Sequence, residues 1–243
     1  MAIFLITGAS SGMGAAMARL LCDRGQTVYG LARRVEVLNE TAKRYPDRFF
    51  AFACDVTRYE DVKAVCAQLP QVPDVAILNA GIGDLDPPEA INLAVHQRTF
   101  ATNYFGVLHV MNELYPRMAQ RGSGKFVAMS SLAAYRGLPG AAAYCASKAA
   151  VSVLMESFRV TYGRKSGIEF LVVHPGFVAT PMTAKNKEKM LFLWSAEKAA
   201  DYILAGIERN RLTINFPLPM RIGMGFLRFV PAGLFRRVAG LKK

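Results

Sequence analysis

Tyr144 and Lys148 lie four residues apart in a segment with helical patterning, so they share one face and their tips can approach a common point. A nearby ammonium favours phenolate over phenol and draws a Tyr pKa down from about 10 toward the working range. Such a pair can give a proton to a carbonyl oxygen or take one from an alcohol. The spacing recurs by chance, so it carries chemistry only in company with other groups.

A second constellation stands near the start of the chain: Thr7-Gly8-Ala9-Ser10-Ser11-Gly12-Met13-Gly14. It follows the apolar run Ile3–Ile6 and precedes the helical pattern Ala15–Cys22. Glycines allow a tight turn and close approach to a pyrophosphate, and a helix N-terminus offers free N–H groups with positive dipole character. The spacing Gly-x3-Gly-x-Gly differs from the commoner G-x-G-x-x-G, and the plain alternative is an ordinary glycine-rich turn. Gly8, Ser10, Ser11, Gly12, Met13 and Gly14 are the candidate phosphate contacts. About twenty residues on, a NAD site places an acid on the ribose 2′-hydroxyl. Here the sequence reads Leu31-Ala32-Arg33-Arg34, with no carboxylate to repel a 2′-phosphate. Two guanidiniums can bind that phosphate bidentately, which favours NADP(H); the alternative is a solvated basic helix start.

The elements that must position these groups alternate. Apolar strand-like runs occur at Ile3–Ile6, Thr27–Leu31, Phe49–Ala53, Val75–Leu78, Lys125–Met129, Ile168–Val173 and Thr213–Phe216. Helical patterns fall between them at Glu36–Arg44, Tyr59–Gln68, Ala90–Gln120 (with Pro116 near its end), Ala141–Arg164 and Ala196–Arg209. Such alternation implies right-handed βαβ crossovers and a parallel sheet covered on both faces. The expected architecture is a single doubly wound Rossmann-type α/β domain over 1–243, with about seven strands.

At 243 residues and 52% hydrophobic, the chain can bury a sizeable core, which excludes a disordered reading. No run is long and apolar enough for a membrane-spanning helix, and no signal peptide is visible. Cys22, Cys54, Cys66 and Cys145 show no metal spacing, and His96, His109 and His174 are scattered, so no metal site is expected. Reduced thiols fit a cytoplasmic protein.

Joined in order, these pieces resemble the short-chain dehydrogenase/reductase family. TGASSGMG is followed by Asn79-Ala80-Gly81 after the fourth strand, then by Ser131 thirteen residues before Tyr144. The run YCASK and then Pro175-Gly176 complete a resemblance covering residues 3 to 180. It implies that Tyr144 is the acid/base, that Lys148 lowers its pKa and bonds the nicotinamide ribose, and that Ser131 holds the substrate oxygen. Asn103, in Asn-Tyr-Phe-Gly, is implied to support a water in the proton relay. Asp55 and Val56 match adenine contacts, Asn79, Ala80, Gly81, Pro175 and Gly176 line the cofactor, and Val178 and Thr180 match carboxamide and phosphate contacts. The family also implies a homodimer or homotetramer acting on a small-molecule carbonyl or alcohol.

Each assignment has a plainer counterpart. Ser130 competes with Ser131, Asn103 can merely satisfy helix backbone, and Asn79 can bond neighbouring main chain. His174 reads as a strand-end residue and Cys145 as packing. Leu78 stands where the family often has a second Asn, and Met13 where it often has Ile. Because Tyr144 and Lys148 are both present, an active NADP(H)-dependent oxidoreductase is favoured over a catalytically silent NADP-binding regulatory protein on the same fold.

The net charge of +12 is concentrated at the end: from Arg209 to Lys243 there are eight basic residues and no Asp or Glu. These residues alternate with glycines and apolar groups rather than lining one reading helix, so no nucleic acid partner is expected. Residues 182–195 combine lysines with Met190, Leu191, Phe192, Leu193 and Trp194, and read either as a substrate lid suited to a hydrophobic substrate or as a helix packed on the sheet. The basic, apolar extension 217–243 suits either peripheral contact with an anionic membrane or a wall over the pocket or a subunit seam, its arginines snorkelling outward.

Overall fold

In the computed structural model, which describes residues 1–87, 90–185 and 190–240, seven strands form one parallel sheet. They are β1 (Ile3–Thr7), β2 (Thr27–Ala32), β3 (Phe49–Ala53), β4 (Val75–Leu78), β5 (Gly124–Met129), β6 (Ile168–Pro175) and β7 (Thr213–Phe216). Their spatial order is β3-β2-β1-β4-β5-β6-β7, so the first strand lies inside the sheet and the winding reverses between β1 and β4. Ligands of open α/β sheets bind at such a reversal, beyond the carboxyl ends of the strands.

Side chains alternate across the strands and divide the core in two. Ile6, Val28, Ile77, Val127 and Val173 face α1 (Gly12–Asp23), α2 (Val35–Arg44) and α8 (Ala196–Glu208). Leu5, Leu31, Ala76, Phe126 and Phe170 face α3 (Tyr59–Gln68), α5 (Gly106–Arg121) and α6 (Ala142–Phe158). Residues such as Phe126 and Phe170 are fully buried, each stabilising the fold by about 2 kcal/mol through area removed from water.

The long helix expected over 90–120 is interrupted. α4 (Leu93–Phe100) starts at Asn92, whose Oδ1 accepts the N–H groups of Ala94 and Val95. A π turn, Ala101–Phe105, then joins it to α5, with Gly106 N–H bonded to the Ala101 carbonyl. Pro116 falls within α5 and does not end it. The helix expected over 141–164 likewise runs as α6, a π turn at Arg159–Gly163 and the short α7 (Arg164–Ser166).

The extension folds into two further helices, α9 (Leu218–Leu227) and α10 (Ala232–Gly240), entered through a cis Phe216–Pro217 peptide. The described part of 182–195 is a 3-10 turn at Thr183–Lys185 and a loop, so the alternative of a helix packed on the sheet does not hold there. Trp194 anchors the loop: its N–H donates to the Phe177 carbonyl, and its ring stacks on Phe216 at 4.9 Å. Lys187, Lys189, Lys242 and Lys243, counted among the basic residues of these segments, lie outside the described residues.

Candidate active site

The carboxyl ends of β1, β4, β5 and β6 open onto a cleft of about 430 Å³. Every sequence-predicted site residue lines it except Gly14 and Asn103, which stand behind its wall.

One end is built for a phosphate. Gly8 and Gly12 adopt left-handed φ values of 67° and 55°, where a side chain is strained. A Cβ on Gly14 would lie 2.4 Å from the Gly8 carbonyl oxygen, so only glycine lets the helix start this close to the turn. Ser11 makes no side-chain cap at α1 and the first turn holds no acid, leaving its N–H groups to an anion. Thr180 closes the cradle from the far side; a Cβ on Gly12 would meet its methyl carbon at 3.1 Å.

Thr7 fixes the turn from below, its hydroxyl accepting the N–H groups of Asn79 at 2.9 Å and Ala80 at 3.0 Å. The Asn79 amide donates to the carbonyls of Thr7 and Gly8, so its Nδ2 serves the main chain, the structural role weighed against cofactor contact. At this same end, Arg33 and Arg34 are exposed beside the cradle, and Arg34 Nη2 donates to Ser10 Oγ at 3.3 Å. Among the described residues neither has a carboxylate within 4.0 Å. Asp55 Oδ1 accepts the N–H and hydroxyl of Thr57, which fixes that carboxylate on the cleft wall. This donor-rich, cationic trough fits the phosphates of a dinucleotide.

The opposite end carries the titrating groups. Lys148 is 4% exposed and donates Nζ to the Met129 carbonyl at 2.7 Å; burial holds its pKa down to about 8. Its nitrogen lies 5.8 Å from the centre of the Tyr144 ring. Burial pushes the Tyr144 hydroxyl above its ordinary pKa, opposed by a hydrogen bond with Ser131. The lowering expected from Lys148 is not seen in this structure, where desolvation sets the direction and the Ser131 hydrogen bond is what opposes it.

Ser131 caps the 3-10 turn Leu132–Tyr135 and faces Tyr144 and the Pro175 carbonyl. Ser130 instead points into α6, donating to the Lys148 carbonyl at 2.7 Å and meeting Ser152 Oγ at 2.8 Å. The offset of thirteen residues thus selects the serine that reaches Tyr144. Asn103 is fully buried: Oδ1 accepts the Ile82 N–H, while Nδ2 donates to the Ile82 carbonyl and to Ser147 Oγ. Ser147 in turn donates to the Tyr144 carbonyl. Both amide hydrogens of Asn103 thus go to protein partners, and its side chain holds the cleft wall against α6.

His174 bonds Ser152 and Asn215, and burial drives its pKa down to about 4, so it is a neutral strand-end residue. Cys145 is buried with a raised pKa, as packing requires. Among the described residues no cluster of His, Cys, Asp or Glu could hold a metal ion.

Sequence reasoning missed several walls. Thr102 and Gly83 line the cleft, and a Cβ on Gly83 would sit 3.7 Å from the Tyr144 ring and 3.2 Å from Sδ of Met182, the first residue of the expected lid. Asp86 is another omission. Its Oδ2 accepts the N–H groups of Ala142 and Ala143 at the start of α6, and its Oδ1 meets His96 at 2.7 Å. The loop run Gly83-Asp84-Leu85-Asp86 gives no local signal for capping a helix so distant in sequence.

A parallel sheet that binds an anionic dinucleotide at its winding reversal, with a Tyr–Lys–Ser cluster facing that site, defines a nicotinamide-dependent oxidoreductase class. The comparisons agree: residues 2–191 match the family model described as short chain dehydrogenase. The chain belongs to the short-chain dehydrogenase family. It is 33% identical over 242 residues to an uncharacterized oxidoreductase of Myxococcus xanthus, covering 97% of this chain and 95% of the relative. It is 36% identical to 2-(R)-hydroxypropyl-CoM dehydrogenase of Xanthobacter autotrophicus, over 74% of this chain and 76% of that protein. A short chain dehydrogenase of Burkholderia cenocepacia, solved in complex with NADP, superposes with a TM-score of 0.85 at 25% identity, covering 98% and 97% of the two chains.

Proposed function

We propose that this oxidoreductase uses NADP(H) to interconvert a carbonyl and a secondary alcohol on a hydrophobic small molecule. The observation that carries the reading is one cleft with Arg33 and Arg34 at its phosphate end and Ser131, Tyr144 and Lys148 at the other. Bound there, the nicotinamide supplies or accepts the hydride.

In reduction, Ser131 Oγ donates to the substrate carbonyl oxygen, and Tyr144 passes its phenolic proton to that same oxygen. The raised pKa of Tyr144 keeps it protonated at neutral pH and ready to act as the acid. Lys148 binds the nicotinamide ribose and, once its ammonium turns from Met129 toward the substrate end, stabilises the phenolate left behind. Asn103 holds the wall formed by Ile82 and, as the family resemblance implies, supports a water in the proton relay. Gly8 to Gly14, Asp55, Val56, Asn79 to Gly81 and the Pro175–Thr180 segment bind the rest of the dinucleotide.

The segment 182–195 serves as the substrate lid, with Met182 against Gly83 beside the Tyr144 ring. Exposed Val153 and Val160, on α6 and the turn after it, supply an apolar seam for a homodimer or homotetramer. The buried, unpaired thiols suit work in the cytoplasm. Fluorescence titration with NADPH and NADH, followed by turnover on aldehydes and ketones of graded chain length, tests the reading. Tighter NADPH binding and rates that rise with chain length are expected; equal affinities, or turnover confined to short polar carbonyls, would refute it.

A further inference from the structure

α9 is apolar on two sides. Its inner side carries Met220, Met224 and Leu227, all partly buried, and rests on the 3-10 turn that follows Ser131. Met220 reaches the cleft wall, since a Cβ on Gly176 would lie 2.7 Å from its Sδ. This side therefore packs behind the cleft wall, and no described residue of the extension lines the cleft itself.

The outer side has no such cover. Leu218, Ile222 and Phe226 recur every fourth residue and are 60%, 63% and 75% exposed, and Phe229 beyond the helix is 82% exposed. A helix with apolar residues on two faces needs apolar surroundings at both. Arg221 on α9, Arg228 just after it, and Arg236 and Arg237 on α10 are all exposed, and among the described residues none is ion-paired.

The surface is also held in place. Arg136 donates to the Arg228 carbonyl at 3.3 Å, and its guanidinium sits 4.5 Å over the Phe235 ring.

We propose that the outer side of α9 docks on an anionic lipid bilayer, its apolar residues entering the headgroup boundary and its arginines meeting lipid phosphates. The charge decides between this occupant and a second copy of the chain. A two-fold contact sets the same patch against itself, and this patch has cations but no acid from Arg209 onward to answer them. Docking brings the Gly176 side of the cleft close to the lipid surface, where an apolar substrate would already be dissolved.

The test is co-sedimentation of the full chain with phosphatidylcholine vesicles prepared with and without phosphatidylglycerol. Binding to the anionic vesicles, loss of binding with added salt, and a roughly tenfold or greater weakening in an Ile222→Ser/Phe226→Ser double variant are expected. An Arg221→Gln/Arg228→Gln variant, which leaves the apolar stripe intact, should show a similar loss and guards against a folding defect in the first. No sedimentation, or equal sedimentation with neutral vesicles, would overturn the proposal. So would light scattering that finds an assembly broken by the serine substitutions in a protein that ignores vesicles, since a second copy would then be the cover.

Discussion

Lys148 donates to the Met129 carbonyl at 2.7 Å while its nitrogen lies 5.8 Å from the centre of the Tyr144 ring. The lysine is therefore held by the sheet before it serves the tyrosine. A buried ammonium with one main-chain acceptor is costly, and the depressed pKa of about 8 reflects that cost.

A stability signature follows from that burial. Between pH 8 and 10.5 the unfolded chain holds the Lys148 proton more tightly than the folded one does. Stability therefore rises with pH across that window, by about 3 kcal/mol at most for a shift of this size. Denaturant midpoints of the parent and of Lys148→Met should converge or cross as pH climbs; parallel curves would show that Lys148 titrates normally.

Tyr144→Phe keeps the ring against Gly83 and removes the titrating hydroxyl. Turnover should fall by about a hundredfold or more, while NADPH affinity stays within a few-fold of the parent. Single-turnover kinetics beside a binding titration separates the two, and a variant that kept most of its rate would assign the proton to another group.

Arg33→Ala should weaken NADPH binding by about 1.5–3 kcal/mol, the range for a charge-assisted hydrogen bond, and leave NADH binding nearly unchanged. Isothermal titration with both cofactors reads this directly. Equal losses for the two would place Arg33 on the shared pyrophosphate.

His174 gives the acid limb of stability. Its pKa of about 4 lies below the usual 6.5, so the unfolded state binds the proton first as pH falls. Its contribution is intact above pH 6.5 and drains away between 6.5 and 4, by about 3 kcal/mol in all. A His174→Asn variant should be less stable at neutral pH and should lose that acid-limb slope in a urea series.

Strand positions were legible because each strand is a short branched or aromatic run bounded by turn residues, and β3, β4 and β7 fall where the apolar runs do. The phosphate turn and the Tyr144–Lys148–Ser131 set were legible because their chemistry depends on residue type at close spacing. The π turn at Asn103 was not, since it depends on Ile82 and Ser147, which lie 21 and 44 residues away. Asp86 was hidden for the same reason: its partners are 56 and 57 residues on. The two tail helices escaped because Gly223, Gly225 and Pro219 read as breaks, whereas docking against the body and Pro219 in the first turn, where its missing N–H costs nothing, let α9 form.

The hydroxyl of Thr7 joins the first strand to residues 79 and 80, across more than seventy positions of chain. During synthesis the phosphate turn thus emerges early but stays unfastened until β4 has left the ribosome and paired beside β1. A fragment that stops before Asn79 contains every glycine of the cradle and still lacks its clasp. The phosphate turn is thus written early and assembled late, and a nascent chain can fasten it only once its N-terminal third is complete.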